Sequence, residues 1–219
     1  LPARNWARRR LPSLPFRLGV LPHSLLKSMR IQVVSYALPA LIAIGRWIHA
    51  RQRTRTGQRV SLLDGALLKK LTAIQPESGG FLEAAPLTAF VVMGLIGTGN
   101  RECPVVEAGL RFLRAGQRKN GSWPIDSDLC TWLTAQASSA QVGGGAQPLE
   151  KTRAFLLSAQ QTTPHPFTQA APGGWAWTPR SGGVPDVDDT SVVLLALRHD
   201  AEAIPAAVVQ AGGRWLLSL

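Results

Sequence analysis

Apolar residues recur along the chain at helical spacing in stretches of two kinds. In the first, residues 105–113 and 154–159, apolar side chains fall on one face with charge at or beside the other. In the second, residues 86–95, 131–137 and 190–197, almost no charge occurs at all. An amphipathic helix needs one buried stripe, whereas a helix apolar all round needs cover on every side. Alternation of the two therefore predicts an all-α fold in two concentric layers, an α/α barrel or toroid of helical hairpins with the uncharged helices inside. Strand-like alternation is nowhere sustained.

The hairpins repeat. Gln75-Pro76-Glu77-Ser78-Gly79-Gly80-Phe81 and Gln117-Arg118-Lys119-Asn120-Gly121-Ser122-Trp123 share one pattern: Gln, three residues, Gly, one residue, a large aromatic. A third copy starts at Gln160 and closes on Gly173-Gly174-Trp175 after a longer loop. The glutamines stand 42 and 43 residues apart, about one helical hairpin with its turns. Phe112 and Phe155 each precede their glutamine by five, and Trp215 holds the same place in a fourth copy whose glutamine would fall just past Leu219. With no initiator methionine, the chain reads as a fragment. The pattern has a structural rationale: the amide meets orphan helix carbonyls, the glycine permits the reversal, and the aromatic fills the gap between hairpins.

Composition narrows the functional classes. The chain has 219 residues, 45% hydrophobic, with mean hydropathy near zero, enough to bury a core and to exclude disorder as a global description. Cys103 and Cys130 have no metal-ligand spacing, which argues against a disulfide framework or zinc site and for a reducing, cytoplasmic-side setting. The net charge of +11 gathers in Arg8-Arg9-Arg10 and between Arg46 and Arg59. Such a run is a solvated basic loop or meets anionic lipid; nucleic acid ranks lower because no aromatics interleave with it as stacking platforms. No secretory signal pattern is visible. The apolar run Val33 to Ile44 is broken by Pro39 and falls short of the roughly 20 residues that span a bilayer, so it reads as a buried or interfacial helix.

Chemistry concentrates in residues 173–190, where Pro185-Asp186-Val187-Asp188-Asp189-Thr190 runs straight into the most apolar helix. Asp189 or Thr190 serves as an N-cap in the simplest reading, and carboxylates suit the positive end of a helix dipole. That accounts for one or two of the three acids. Clustered carboxyls at the mouth of an apolar cavity cannot all ionise, so one should keep its proton, as general-acid chemistry requires. Closely spaced aspartates can also hold magnesium. Spacing leaves both readings open.

The Pro-Asp-Val-Asp-Asp-Thr motif, in phase with three Gln…Gly-x-aromatic repeats, resembles the squalene-hopene cyclase family over most of the chain. Leu14-Pro15-Phe16 and Val33-Val34-Ser35-Tyr36-Ala37-Leu38-Pro39 are similar to the family segment preceding the region where substrate enters. The resemblance implies an all-helical, two-barrel, monotopic membrane enzyme on the cytoplasmic face that takes squalene or a related isoprenoid from the bilayer and cyclises it without a cofactor. Residues 1–124 would form part of the first, non-catalytic barrel, and residues 125–219 the start of the catalytic one. It implies Asp188 as proton donor, with Asp186 and Asp189 tuning and orienting it, and Trp177 and Trp132 as cavity aromatics that steady a carbocation. No metal site and no nucleic-acid partner are implied, and a homodimer is left open.

This chain departs from the family at Ser28-Met29-Arg30, where a tryptophan usually stands. The family's histidine partner of the acid would lie beyond Leu219. His165 and His199 are not replacements by position, and His165 reads as a loop residue. Alone, the fragment is expected to be inactive, with an exposed apolar inner face. Two alternatives stay open: a class II diterpene cyclase acting on a prenyl diphosphate, and a non-enzymatic helical-repeat scaffold. Oxidosqualene cyclases differ in pairing a cysteine with a single acid, and protein prenyltransferase subunits in needing an Asp-x-Cys zinc site.

Overall fold

The computed structural model describes residues 16–21, 25, 28, 33–53, 62–146 and 149–219. Among these the chain forms eight α-helices: α1 (Val33–Arg53), α2 (Leu62–Ile74), α3 (Ala85–Ile96), α4 (Pro104–Gly116), α5 (Cys130–Gly143), α6 (Glu150–Ser158), α7 (Val187–Leu197) and α8 (Ala206–Leu217). Three 3-10 segments accompany them, at Phe16–Val20, Phe81–Glu83 and Arg198–Ala203. No strand occurs among the described residues, only an isolated antiparallel bridge between Ala84 and Asp126. None of the described helices is long and apolar enough to cross a membrane.

Helices α1 and α3 pack side by side, as do α5 and α7, while α4 backs α3 and α8 backs α7. The side-by-side packing is interrupted between α3 and α5. Two apolar clusters result. One gathers Phe16, Leu38, Ile42, Leu67, Leu71, Phe81, Val91 and Leu95; the other gathers Ala135, Leu156, Trp175, Val193, Leu197 and Ile204. The uncharged helices are not covered on all sides: Phe90, Met93, Leu133 and Leu195 are each at least half exposed.

Two expectations from the sequence change here. Pro39 does not break the apolar run; α1 passes through it. An internal proline forgoes one helix hydrogen bond, and the full burial of Leu38, Ile42 and Ala43 beside it offsets that loss. Arg46 is no part of a solvated basic loop, because it is 6% exposed and its Nε meets Asp64 Oδ1 at 3.3 Å. Arg51 lies over the Trp47 ring. Arg8-Arg9-Arg10, residues 54–61 and Met29-Arg30 lie outside the described residues.

Two of the three Gln…aromatic segments make the same pair of bonds. The Gln75 amide donates to the carbonyls of Gly79 (3.0 Å) and Val105 (3.1 Å), and the Gln160 amide to those of Gly173 (2.9 Å) and Val208 (3.0 Å). Each glutamine thus ties the end of one amphipathic helix, across its turn, to the start of the next. Among the described residues, Gln117 reaches only Gly121, at 3.3 Å. The indole N–H of Trp123 donates to Leu113 O and that of Trp175 to Leu156 O, both at 2.7 Å, satisfying a carbonyl in the last turn of the preceding helix. Gly79 and Gly173 have φ of +84° and +119°, and a Cβ on either would stand 2.5 or 2.6 Å from the carbonyl oxygens of Ala108 and Ala211. Positive φ and close approach together require glycine there.

Candidate active site

Three turns, one from each repeat, converge between α3 and α5. Each places acidic residues between its aromatic and the next uncharged helix: Glu83 after Phe81, Asp126 and Asp128 after Trp123, and Asp186, Asp188 and Asp189 after Trp175. The first two turns are joined by the bridge at Ala84, by Ala85 N donating to Ile125 O (3.0 Å) and by Ser127 N donating to Glu83 O (2.9 Å). The result is a cavity of about 390 Å³, open to solvent, with Leu82, Ala84, Leu129, Trp132 and Trp177 as its apolar wall and Asp126, Asp186, Asp188 and Asp189 as its acidic wall. All five residues that the sequence singled out lie on it.

The three motif aspartates are set apart by their surroundings. Asp186, not Asp189 or Thr190, is the N-cap of α7: its Oδ1 accepts the Asp189 N–H at 2.7 Å. Thr190 is a clamp instead. Its hydroxyl accepts the Trp175 N–H at 2.9 Å and donates to Trp175 O at 3.3 Å, which holds the start of α7 against the repeat aromatic. Asp188 is exposed on the cavity side. Asp189 is 3% exposed, and burial first, then the neighbouring charges of Asp186 and Asp188, push its carboxyl up to about 8 from an ordinary 3.8. The nearby Trp177 backbone N–H pulls partly the other way. One member of the triad therefore keeps its proton at neutral pH, and it is the last of the three.

Trp177 holds the two halves of the site together through its backbone. Its carbonyl accepts from Thr131 N (3.0 Å) and Trp132 N (3.4 Å), two of the otherwise orphaned donors at the start of α5. The first donor, Cys130 N, goes to Asp128 Oδ1 at 2.9 Å. The Trp177 indole nitrogen is buried with no hydrogen-bond partner among the described residues. Trp132, in the first turn of α5, stands across the cavity wall from the triad's helix.

A second layer of charge fixes the turns. Glu83 is fully buried; it accepts from Ser78 Oγ (2.7 Å) and Ser127 Oγ (3.4 Å) and lies 3.9 Å from Arg180 Nη1. Arg180 Nε also meets Asp128 Oδ2 at 3.0 Å, where the Thr178 hydroxyl donates as well, at 3.1 Å. Burial pushes Asp128 up, but bonds from Cys130 and Thr178 and the Arg180 charge outweigh it and hold the carboxyl below its ordinary range. Asp126 carries no such support and is raised by burial. Among the described residues no group of acids, histidines and cysteines is disposed to hold a metal ion.

Sequence reasoning missed Asp126, Leu129, Glu83, Asp128 and Arg180. The available signal was positional, since every repeat carries acid in the short segment leading into its uncharged helix. His165 is buried in a separate cavity, and His199 lies in the 3-10 segment after α7; neither lines the acidic cavity.

No family model matches the chain. It is similar to sporulenol synthase of Bacillus subtilis (strain 168), 28% identical over 154 residues that make up 65% of this chain and 24% of that protein. A shorter segment of 49 residues is 41% identical to the terpene cyclase-glycosyl transferase fusion protein fsoA of Humicola fuscoatra, covering 22% of this chain and 4% of that protein. The chain thus spans about a quarter of the length of the bacterial relative, and what an all-helical chain with an aspartate triad at an aromatic-walled cavity is similar to is a terpene cyclase.

Proposed function

We propose that this chain carries the acid end of a class II terpene cyclase of the squalene-hopene type, which protonates a terminal carbon-carbon double bond of squalene or a related isoprenoid and drives its cyclisation to a polycyclic triterpene. The observation that carries the reading is the split within the triad, one carboxyl capping a helix, one buried and protonated, one facing an aromatic-walled cavity. The similarity to proteins named as terpene cyclases supports it.

The roles follow from acid strength. An alkene is a feeble base, so its proton donor must be a strong acid in a dry site. A carboxyl raised to about 8 is too weak for this. Asp189 instead stays neutral, which spares the site a third negative charge and leaves an O–H to bond a neighbouring carboxylate. Asp188, exposed on the cavity side, takes up a proton from solvent before the substrate covers it and then delivers it: its O–H bond breaks, a C–H bond forms at one alkene carbon, and the positive charge falls on the other. Successive double bonds attack that cation and close rings, until loss of a proton or capture of water ends the sequence. Trp177 and Trp132 lend their faces to the moving cation, at about 0.5–2 kcal/mol per contact, without trapping it as a nucleophile would. No cofactor takes part. The exposed apolar side chains of α3, α5 and α7 fit a protein that meets its substrate at the cytoplasmic surface of a membrane.

The test uses the natural polypeptide that carries this segment, incubated separately with squalene, oxidosqualene and geranylgeranyl diphosphate, with and without EDTA. Squalene is expected to be cyclised without metal, and Asp188→Asn to lose at least ~10³-fold of that rate, the upper part of the usual contribution of general-acid catalysis. Metal-dependent turnover of the diphosphate, or full activity in Asp188→Asn, overturns the reading.

A further inference from the structure

Of the two acids in the second turn, Asp126 lines the acidic cavity and Asp128 does not. The Asp128 carboxyl instead joins the two segments that carry the cavity's tryptophans. Its Oδ1 accepts the Cys130 N–H at 2.9 Å, two residues before Trp132 on α5. Its Oδ2 accepts the Thr178 hydroxyl at 3.1 Å, one residue after Trp177, and Arg180 Nε at 3.0 Å. The Thr178 hydroxyl in turn accepts the Arg180 backbone N–H at 3.3 Å, which folds residues 178–180 around that oxygen. One oxygen thus holds the start of the helix that bears Trp132, and the other holds the segment that leaves Trp177.

Two points of attachment fix an orientation where one does not. Asp128 supplies the first point and the Trp177 carbonyl the second, and between them they satisfy the Cys130, Thr131 and Trp132 N–H groups that open α5. Without Asp128 the link rests on the Trp177 carbonyl alone, whose bond to Trp132 N is long, at 3.4 Å. Thr178 is 2% exposed, so its hydroxyl, once deprived of the carboxylate, has no water to turn to and residues 178–180 must shift to satisfy it. A cation-π contact acts only within about 6 Å of the ring centroid. A displaced ring therefore loses the charge it is there to hold.

We propose that Asp128 is a positioning residue that selects the product: by holding Trp132 and Trp177 at a fixed separation it decides how many rings close before the cation is lost. This role rests on the cyclase reading of the acidic cavity. Asp128 itself touches neither substrate nor the reacting proton.

The natural polypeptide that carries this segment is incubated with squalene, and the products are separated by their number of rings for the unaltered protein, Asp128→Asn, Arg180→Gln and Gly79→Ala. Asparagine keeps an oxygen for the Cys130 N–H and loses the charge that holds Arg180. Asp128→Asn is expected to raise the ratio of partly to fully cyclised product about tenfold, the factor that corresponds to one aromatic contact of about 1.4 kcal/mol. Arg180→Gln, at a half-exposed side chain, should move the ratio the same way by less. Gly79→Ala strains the first turn at φ +84°, far along the chain from α5, and should slow turnover without changing the ratio. In the same proteins labelled with 5-fluorotryptophan, the Trp132 and Trp177 ¹⁹F resonances, assigned through Trp132→Phe and Trp177→Phe, should both move in Asp128→Asn and stay in place in Gly79→Ala.

An unaltered protein that leaves squalene uncyclised refutes the cyclase reading and this role with it. Cyclisation by the unaltered protein with the same product ratio in Asp128→Asn and Arg180→Gln, or tryptophan resonances unmoved in Asp128→Asn, overturns the positioning role alone. If Asp128→Asn does not fold, the ratio in Arg180→Gln decides.

Discussion

Asp189→Asn should make the protein more stable than the unaltered chain at neutral and alkaline pH, by a margin that grows as the pH rises. In the folded state the Asp189 carboxyl is raised to about 8, against an ordinary 3.8 for an unfolded chain. Below pH 3.8 both states hold the proton and the residue costs nothing. Between 3.8 and about 8 the unfolded state releases it and the folded state does not, so stability falls as the pH rises, with a slope of up to about 1.4 kcal/mol per pH unit. Above about 8 both states have lost it and the penalty is constant. The width of that window caps the effect at about 6 kcal/mol, and sharing of the proton with Asp186 and Asp188 spreads its release and lowers the figure to a few kcal/mol.

Asparagine keeps the shape of a neutral carboxyl, but it does not titrate. Urea unfolding of both proteins at several pH values from 4 to 9 measures the difference directly, and subtracting the two curves removes the contributions of Asp126 and His165. The difference should be smallest at pH 4, widen in favour of the variant up to about 8, and then level off. A difference that stays constant from pH 4 to 9 would refute the reasoning, because it would mean that Asp189 ionises as an exposed aspartate does.

Further outcomes test the scaffold around the site. Thr190→Val removes the hydroxyl that serves the buried Trp175 N–H, and is expected to cost about 1–3 kcal/mol in chemical denaturation. Gly173→Ala, at φ +119° and against the Ala211 carbonyl, should lower the melting temperature at a cost of at least ~1–3 kcal/mol. Gly213→Ala, inside α8 with open space around it, should raise it by the roughly 0.5–1 kcal/mol that separates the two residues in a helix. Trp177→Leu leaves the backbone bonds to α5 in place and removes the aromatic face, so in the natural polypeptide it should slow cyclisation about tenfold with little change in stability, as loss of about 1.4 kcal/mol of cation stabilisation would do.

Local pattern was enough for the elements and for the address of the chemistry. Helical spacing with and without charge distinguished α4 from α3 and α7, and the interval between Gln75, Gln117 and Gln160 set out the hairpins, because helix periodicity and turn chemistry are properties of neighbouring residues. The Asp186, Asp188 and Asp189 cluster marked the site for the same reason. What each acid does was not legible. That Asp186 caps, Asp189 is buried and Asp188 faces the cavity depends on how α7 enters beneath Trp175 and Trp177, residues about ten positions away along the chain.

The same holds for Asp126, brought to the cavity by a bridge to Ala84, for Arg46, a surface charge by composition and a buried ion pair with Asp64 in the fold, and for His165, whose buried ring no local pattern announced. A sequence specifies which residues can cap, bond or ionise. Whether a carboxyl keeps its proton or an imidazole lacks a partner is decided by solvent exclusion, and exclusion is set by segments distant in the chain that only the tertiary structure brings together.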